Sequence, residues 1–124
     1  MIDDENKKGN ILIAEDDLRG RELLAEMLEI YGYTVYKAKS GKHAVTKISK
    51  SKDKFDIILM DIDMPGQMDG IEAVRQIQTK NCKIPIIFVT AYADDETYQQ
   101  KIREEKLKIA GWVDKPIIGD NEKS

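Results

Sequence analysis

Three stretches of the chain are apolar almost without interruption: "ILIA" (11–14), "FDIILM" (55–60, once past its aspartate) and "PIIFVT" (85–90). Short β-branched runs of this kind predict strands buried on both faces, the mark of a parallel sheet. "YTVYK" (33–37) alternates more and reads as an edge strand, and "AGWVDK" (110–115) is a short fifth candidate. Helical periods fill the gaps. Leu23, Leu24, Met27, Leu28 and Tyr31 share one face, with Gly32 as a C-terminal stop. Ala44, Val45 and Ile48 mark a second helix, and Ile71, Val74 and Ile77 a third. From Asp94 to Lys106 the chain is charged, with Tyr98 and Ile102 as the thin apolar stripe of a fourth. Strands alternating with helices predict right-handed βαβ units and an α/β sandwich.

The residues at the end of each strand point to chemistry. Glu15-Asp16-Asp17 comes directly after the first strand and Asp61-Ile62-Asp63 ends the third. The fourth ends in Thr90-Ala91 and the fifth in Lys115-Pro116. Open α/β sheets bind ligands outside the carboxyl ends of their strands. Carboxylates gathered from two strands repel one another and stay ionised most easily around a cation. Oxygen ligands with room for water suit Mg²⁺ (or Mn²⁺), which in turn binds phosphoryl oxygens. A threonine hydroxyl and a lysine ammonium would hold the remaining phosphoryl oxygens. A carboxylate can itself be the nucleophile, so Asp61 reads as an acid held at a strand tip to be phosphorylated.

Composition narrows the classes. The chain has 124 residues, enough for one domain, with 41% hydrophobic and 35% charged residues. A net charge of −3 argues against sequence-independent nucleic-acid binding. No apolar run is long enough to span a bilayer, and "MIDDENKKGN" is not a signal sequence, so membrane insertion is not expected. The single cysteine, Cys82, rules out an internal disulfide and fits a reducing cytoplasm. The expected boundaries are a tail over 1–9, a domain over 10–118 and a tail over 119–124.

The motifs "ILIAEDD", "DIILMDIDMPG", "MDGIEA", "PIIFVTAYAD" and "VDKP" stand in the order found in the receiver domain of two-component response regulators. From Asn10 to Pro116 the chain resembles that family, as in the bacterial chemotaxis receiver. The resemblance implies a flavodoxin-like, doubly wound five-stranded parallel sheet in the order 2-1-3-4-5. It implies a phosphoacceptor signalling domain rather than a metabolic enzyme, with slow self-catalysed phosphorylation and dephosphorylation. Asp61 matches the phosphoacceptor. Asp16 matches a direct metal ligand and Glu15 one acting mainly through water. Asp63 matches the position whose backbone carbonyl completes the metal shell. Thr90 and Lys115 match the phosphoryl-sensing hydroxyl and the lysine, and Lys115-Pro116 matches a bond that is cis in the family. Asp63 and Tyr92 match positions that flank the hydrolytic water and tune the lifetime. The implied donor is a phosphohistidine on a sensor histidine kinase or histidine phosphotransfer protein. The implied readers are an output domain or protein and a second copy, docking through the fourth helix and fifth strand.

The chain departs from the pattern in four places. "MPGQMDG" carries one residue more than the common form, through Gly66-Gln67. Trp112 stands where the family's switch aromatic is usually Tyr or Phe, and reads as core or as switch. The stretch from Thr90 to Lys115 is longer than in the chemotaxis receiver. Only eight residues come after Pro116, with Ile117 where the family usually has Phe, so a final helix is expected to be short or absent. That predicts apolar surface on one sheet face, and a chain that is part of a larger regulator or hybrid kinase.

Plainer readings stand beside these. Asp17 reads as a helix cap. His43 reads as an exposed helix residue, and the lysines of "KISKSKDK" as a solvated patch or a partner-docking face. "ILMDIDMPG" also resembles the DxD motif of haloacid-dehalogenase-type phosphatases. That family normally lacks an acidic pair on an earlier strand and has a cap or a longer chain. A receiver that cannot be phosphorylated, used only for binding, is the third alternative.

Overall fold

A computed structural model of the chain describes residues 8–115 apart from 65, 67, 81 and 92–94. Five strands alternate with four helices: β1 Asn10–Ala14, α1 Leu18–Ile30, β2 Thr34–Ala38, α2 Gly41–Ser51, β3 Ile57–Asp61, α3 Gly70–Thr79, β4 Ile86–Thr90, α4 Glu96–Glu104 and β5 Gly111–Asp114. A 3₁₀ turn at Lys52–Lys54 joins α2 to β3. All pairings are parallel, in the order β2-β1-β3-β4-β5. The predicted architecture and order are therefore those observed, with β2 at an edge as its half-buried pattern requires.

Strand alternation divides the core between two faces. Leu12, Ala14, Ile58, Met60, Ile86 and Phe88 point to one face, where α2 brings Ala44, Val45 and Ile48, α3 brings Ile71, Val74 and Ile77, and α4 brings Ile102. Ile11 and Ile13 point to the other, against Leu24 and Ala25 of α1. Among the described residues only α1 covers this second face, and beyond it Ile57, Leu59 and Ile87 are half-buried while Val113 is exposed. The final helix, Ile117, the Lys115-Pro116 bond, Tyr92 and both tails lie outside the described residues.

The face predicted for α1 needs correction. Arg21, Leu24 and Ala25 are buried, and Met27 and Leu28 are half-buried. Leu23 is 38% exposed and Tyr31, at the C-cap, 63%. The buried stripe runs 21-24-25-28, so Leu23 falls one position off it and Tyr31 lies past the last turn. Gly32 does stop the helix, at φ +102°, where glycine meets no Cβ penalty. His43 is half-buried rather than exposed. Its Nδ1 accepts the Lys39 N–H at 3.1 Å, tying the start of α2 to the end of β2.

Candidate functional site

The carboxyl ends of β1, β3, β4 and β5 bring the predicted residues together. Asp61 is the last residue of β3 and is only 5% exposed, as is Glu15, one residue beyond β1. Asp16 is exposed beside them. Glu15, Asp16 and Asp61 each offer a carboxylate oxygen, and these atoms lie within 4.8 Å of one another. The Lys115 Nζ reaches across from the end of β5 to Glu15 Oε1 at 2.5 Å and to Asp61 Oδ2 at 3.2 Å. Asp61 Oδ1 faces the Asp63 N–H at 3.3 Å. Each oxygen of the Asp61 carboxylate thus faces a donor among the described residues.

The electrostatics of this cluster are tense. Burial, then the negative charge of Glu15, pushes Asp61 from an ordinary 3.8 up to about 7, although Lys115 pulls the other way. Asp16 is raised too, by burial and by its hydrogen bond with Glu15. Burial alone would lower Lys115, but hydrogen bonds and attraction from Glu15 and Asp61 more than offset it and the ammonium is raised. Three carboxylates facing one ammonium leave negative charge uncompensated. An all-oxygen donor set of this kind fits a hard divalent cation, which would hold the acids ionised.

Thr90 ends β4 with no exposed surface, and its carbonyl accepts the Lys115 N–H at 2.9 Å, which anchors the lysine's backbone beside the site. Trp112 does not join the acids. It lies back along β5, paired in register with Phe88, with ring centroids 5.4 Å apart. Phe88 and Thr90 alternate onto that same sheet face. Asp17 caps α1 by accepting the Gly20 N–H at 2.7 Å, as its plainer reading had it.

Two residues of the site carried no such assignment in the sequence. Arg21 is 7% exposed, and its guanidinium donates to the Glu15 carbonyl at 2.8 Å. A cation in the first turn of a helix opposes the helix dipole, and burying it costs more. Its placement makes sense against the acidic cluster, whose β1–α1 loop it ties down. The signal was an arginine where α1 needs an apolar residue. The second is Gly70, which starts α3 and donates its N–H to the Ile62 carbonyl at 2.8 Å. A Cβ there would stand 2.1 Å from the Asp61 carbonyl oxygen, so only glycine lets α3 pack onto the backbone of Asp61. "MDG" marked the position but not the reason.

Comparison with known proteins identifies the family and the fold. The family model for the response regulator receiver domain matches residues 11–122. The transcriptional regulatory protein ZraR of Escherichia coli is 32% identical over 112 residues, covering 90% of this chain and 24% of ZraR. The chain thus spans about a quarter of that relative's length. Among solved structures, chemotaxis protein CheY4 of Vibrio cholerae is 28% identical with a TM-score of 0.77, covering 89% of this chain and 88% of that one. Response regulator protein TrrA of Thermotoga maritima, in complex with Mg²⁺ and BeF, is 30% identical with a TM-score of 0.75, covering 94% of each chain.

Proposed function

Since the chain belongs to the response regulator receiver domain family, we propose that it is a phosphorylation switch whose acceptor is Asp61. The carrying observation is the position of that carboxylate at the end of β3, within 3.2 Å of the Lys115 ammonium and grouped with Glu15 and Asp16. An oxygen of Asp61 forms a bond to phosphorus while the N–P bond of a phosphohistidine donor breaks. The imidazole nitrogen leaves with the electron pair and takes up a proton. Hydrolysis returns the carboxylate and releases phosphate.

Asp16 directly, Glu15 mainly through water, Asp61 and the Asp63 carbonyl would hold Mg²⁺, and Mn²⁺ has the same preference for oxygen donors. When bound, the ion supplies Lewis-acid neutralisation of phosphoryl charge. Lys115 already touches Asp61 and turns to a phosphoryl oxygen. The buried Thr90 hydroxyl is one strand away and binds another, drawing the end of β4 inward. Trp112 on Phe88 then repacks, shifting the population of the α4–β5 face that an output domain or a second copy reads. Asp63 and Tyr92 tune the lifetime. The donor is a sensor kinase or phosphotransfer protein, and the setting is cytoplasmic. Among the described residues no helix is long and apolar enough to cross a membrane. The acidic pair that follows β1, grouped with Asp61, argues against the phosphatase reading.

The test is intact mass after incubation with phosphoramidate, with and without Mg²⁺, for the native chain and Asp61→Asn. The expected result is one Mg²⁺-dependent phosphoryl adduct that decays unaided and is absent in the variant. No adduct would overturn the switch and leave a receiver used only for binding.

A further inference from the structure

The opposite end of the sheet carries a second constellation. The chain enters β4 through 82–85 and β5 through 105–110, and between these segments lies a cleft of about 510 Å³. Ile84, Pro85, Ile109 and Ala110 line it together with Lys83, Lys106 and Lys108. A second depression of about 230 Å³ opens between α2 and α3, over Val45, Ile48 and Ile77, with Lys80 at its edge. Cys82 lines both, so the two depressions adjoin at that residue and flank it as the two parts of one groove. No acidic residue is among the described residues lining either part. Glu104 and Glu105 stand on the exposed end of α4, outside both linings.

Two features show the cleft wall to be a fixed structure. The Gln78 side chain binds both backbone groups of Lys108, donating to its carbonyl at 2.7 Å and accepting its N–H at 3.1 Å. Lys106 is the one non-glycine residue with positive φ (58°) among the described residues. It ends α4 at the left-handed position where glycine is the usual occupant. Its N–H bonds to the Arg103 carbonyl, and that of Leu107 to the Ile102 carbonyl. A lysine held there in an unfavourable conformation places a third ammonium on the cleft at the expense of backbone strain.

We propose that this groove docks an acidic segment of a partner protein, its carboxylates meeting Lys80, Lys83, Lys106 and Lys108 and its apolar side chains entering the two depressions. Charge complementarity selects the acidic partner. Two adjoining depressions with Ile84, Ile109, Val45, Ile48 and Ile77 in their linings, rather than one enclosed pocket, select an extended peptide over a small anion. The groove lies at the amino ends of the strands and does not depend on the phosphorylation reading.

Cys82 is the chain's only cysteine and so reports on the groove directly. The experiment tracks its labelling by an uncharged maleimide while a short synthetic peptide of glutamates and aspartates with interspersed leucines is titrated in. The peptide should slow labelling saturably, less well at high salt and less well with serines in place of the leucines. Lys83→Glu with Lys108→Glu should weaken protection by about tenfold, and Lys42→Glu with Lys50→Glu on α2 should not. Lys106→Gly should raise the unfolding temperature while weakening the peptide, which separates lost binding from lost folding. Absence of protection at millimolar peptide would overturn the proposal. So would equal protection by citrate, which would mean a small-anion cleft, or an equal loss from the α2 substitutions, which would mean undirected charge attraction.

Discussion

The two ends of one sheet treat charge in opposite ways. At the carboxyl ends, Glu15 and Asp61 are buried side by side and leaned on by a lysine, and an arginine is buried beneath them. At the amino ends, lysines surround the groove with their charges in solvent. Burial makes the difference energetic. A charge in solvent interacts weakly and is screened, whereas a buried cluster of like charges is held against its own repulsion by the rest of the fold. A cation among the acids of the first end would relieve that repulsion. The second is built only to attract. Substitutions should therefore act strongly at the first and faintly at the second.

The largest effect is expected at Gly70. Alanine there drives a methyl into the Asp61 carbonyl, 2.1 Å from where its Cβ would sit, and neither backbone can yield cheaply. Gly70→Ala should cost about 3 kcal/mol in urea unfolding. It should also slow phosphoramidate labelling of Asp61 about a hundredfold, through displacement of the nucleophile. A variant of native stability and rate would mean that the site is not fixed by this contact.

Asp61→Asn should act in the opposite direction on stability. The native carboxyl is raised from 3.8 to about 7, so between those values the folded state binds more protons than the unfolded state. Stability of the metal-free protein should then fall as pH rises from about 4 to about 7 and level off above. The amide removes that slope and should stabilise the protein at pH 8 on the order of 2 kcal/mol. Millimolar Mg²⁺ should flatten the native profile by favouring the carboxylate and should leave the variant nearly unchanged. Thermal unfolding across pH, with and without Mg²⁺, reads all of this. A native profile that rises toward neutral pH without metal would contradict the repulsion described here.

Arg21 comes next. Arg21→Met removes a buried charge-assisted hydrogen bond to the Glu15 carbonyl and should cost about 1–2 kcal/mol. If the arginine also positions the acidic loop, Mg²⁺ should bind about tenfold more weakly by calorimetry. Loss of stability with unchanged Mg²⁺ affinity would leave it a packing role alone.

The acidic end was far more legible in the sequence than the basic one. Asp61, Glu15, Asp16, Thr90 and Lys115 each stand at the end of an apolar run, and parallel strands must bring such positions to one edge. The strands themselves stood out because continuous β-branched runs have few other uses. Arg21 and Gly70 did not announce their tasks, because each acts on the backbone of a residue in another element. The periodicity puts Leu23 and Tyr31 on the buried face of α1 because apolar residues at positions 23, 27 and 31 form a neighbouring stripe that mimics the buried one. The groove was hidden altogether. Its lysines come from two loops separated by α4, and spacing along the chain carries no trace of their meeting.

The smallest effects are expected at the groove, and the one at Lys106 is a gain. At φ +58° a side chain crowds its own carbonyl, and glycine does not. Lys106→Gly should therefore stabilise by about 1 kcal/mol, while Lys83→Glu nearby, on an exposed loop, should change stability by less than about 0.5 kcal/mol. Neither should alter the rate at which Asp61 is phosphorylated, since the groove and the acids lie at opposite ends of the strands. Urea midpoints and adduct formation by mass measure the two quantities in parallel. A rate change in either variant would mean that the two ends communicate through β4 and β5, and the separation drawn between them would give way to a coupling of groove occupancy with the state of Asp61.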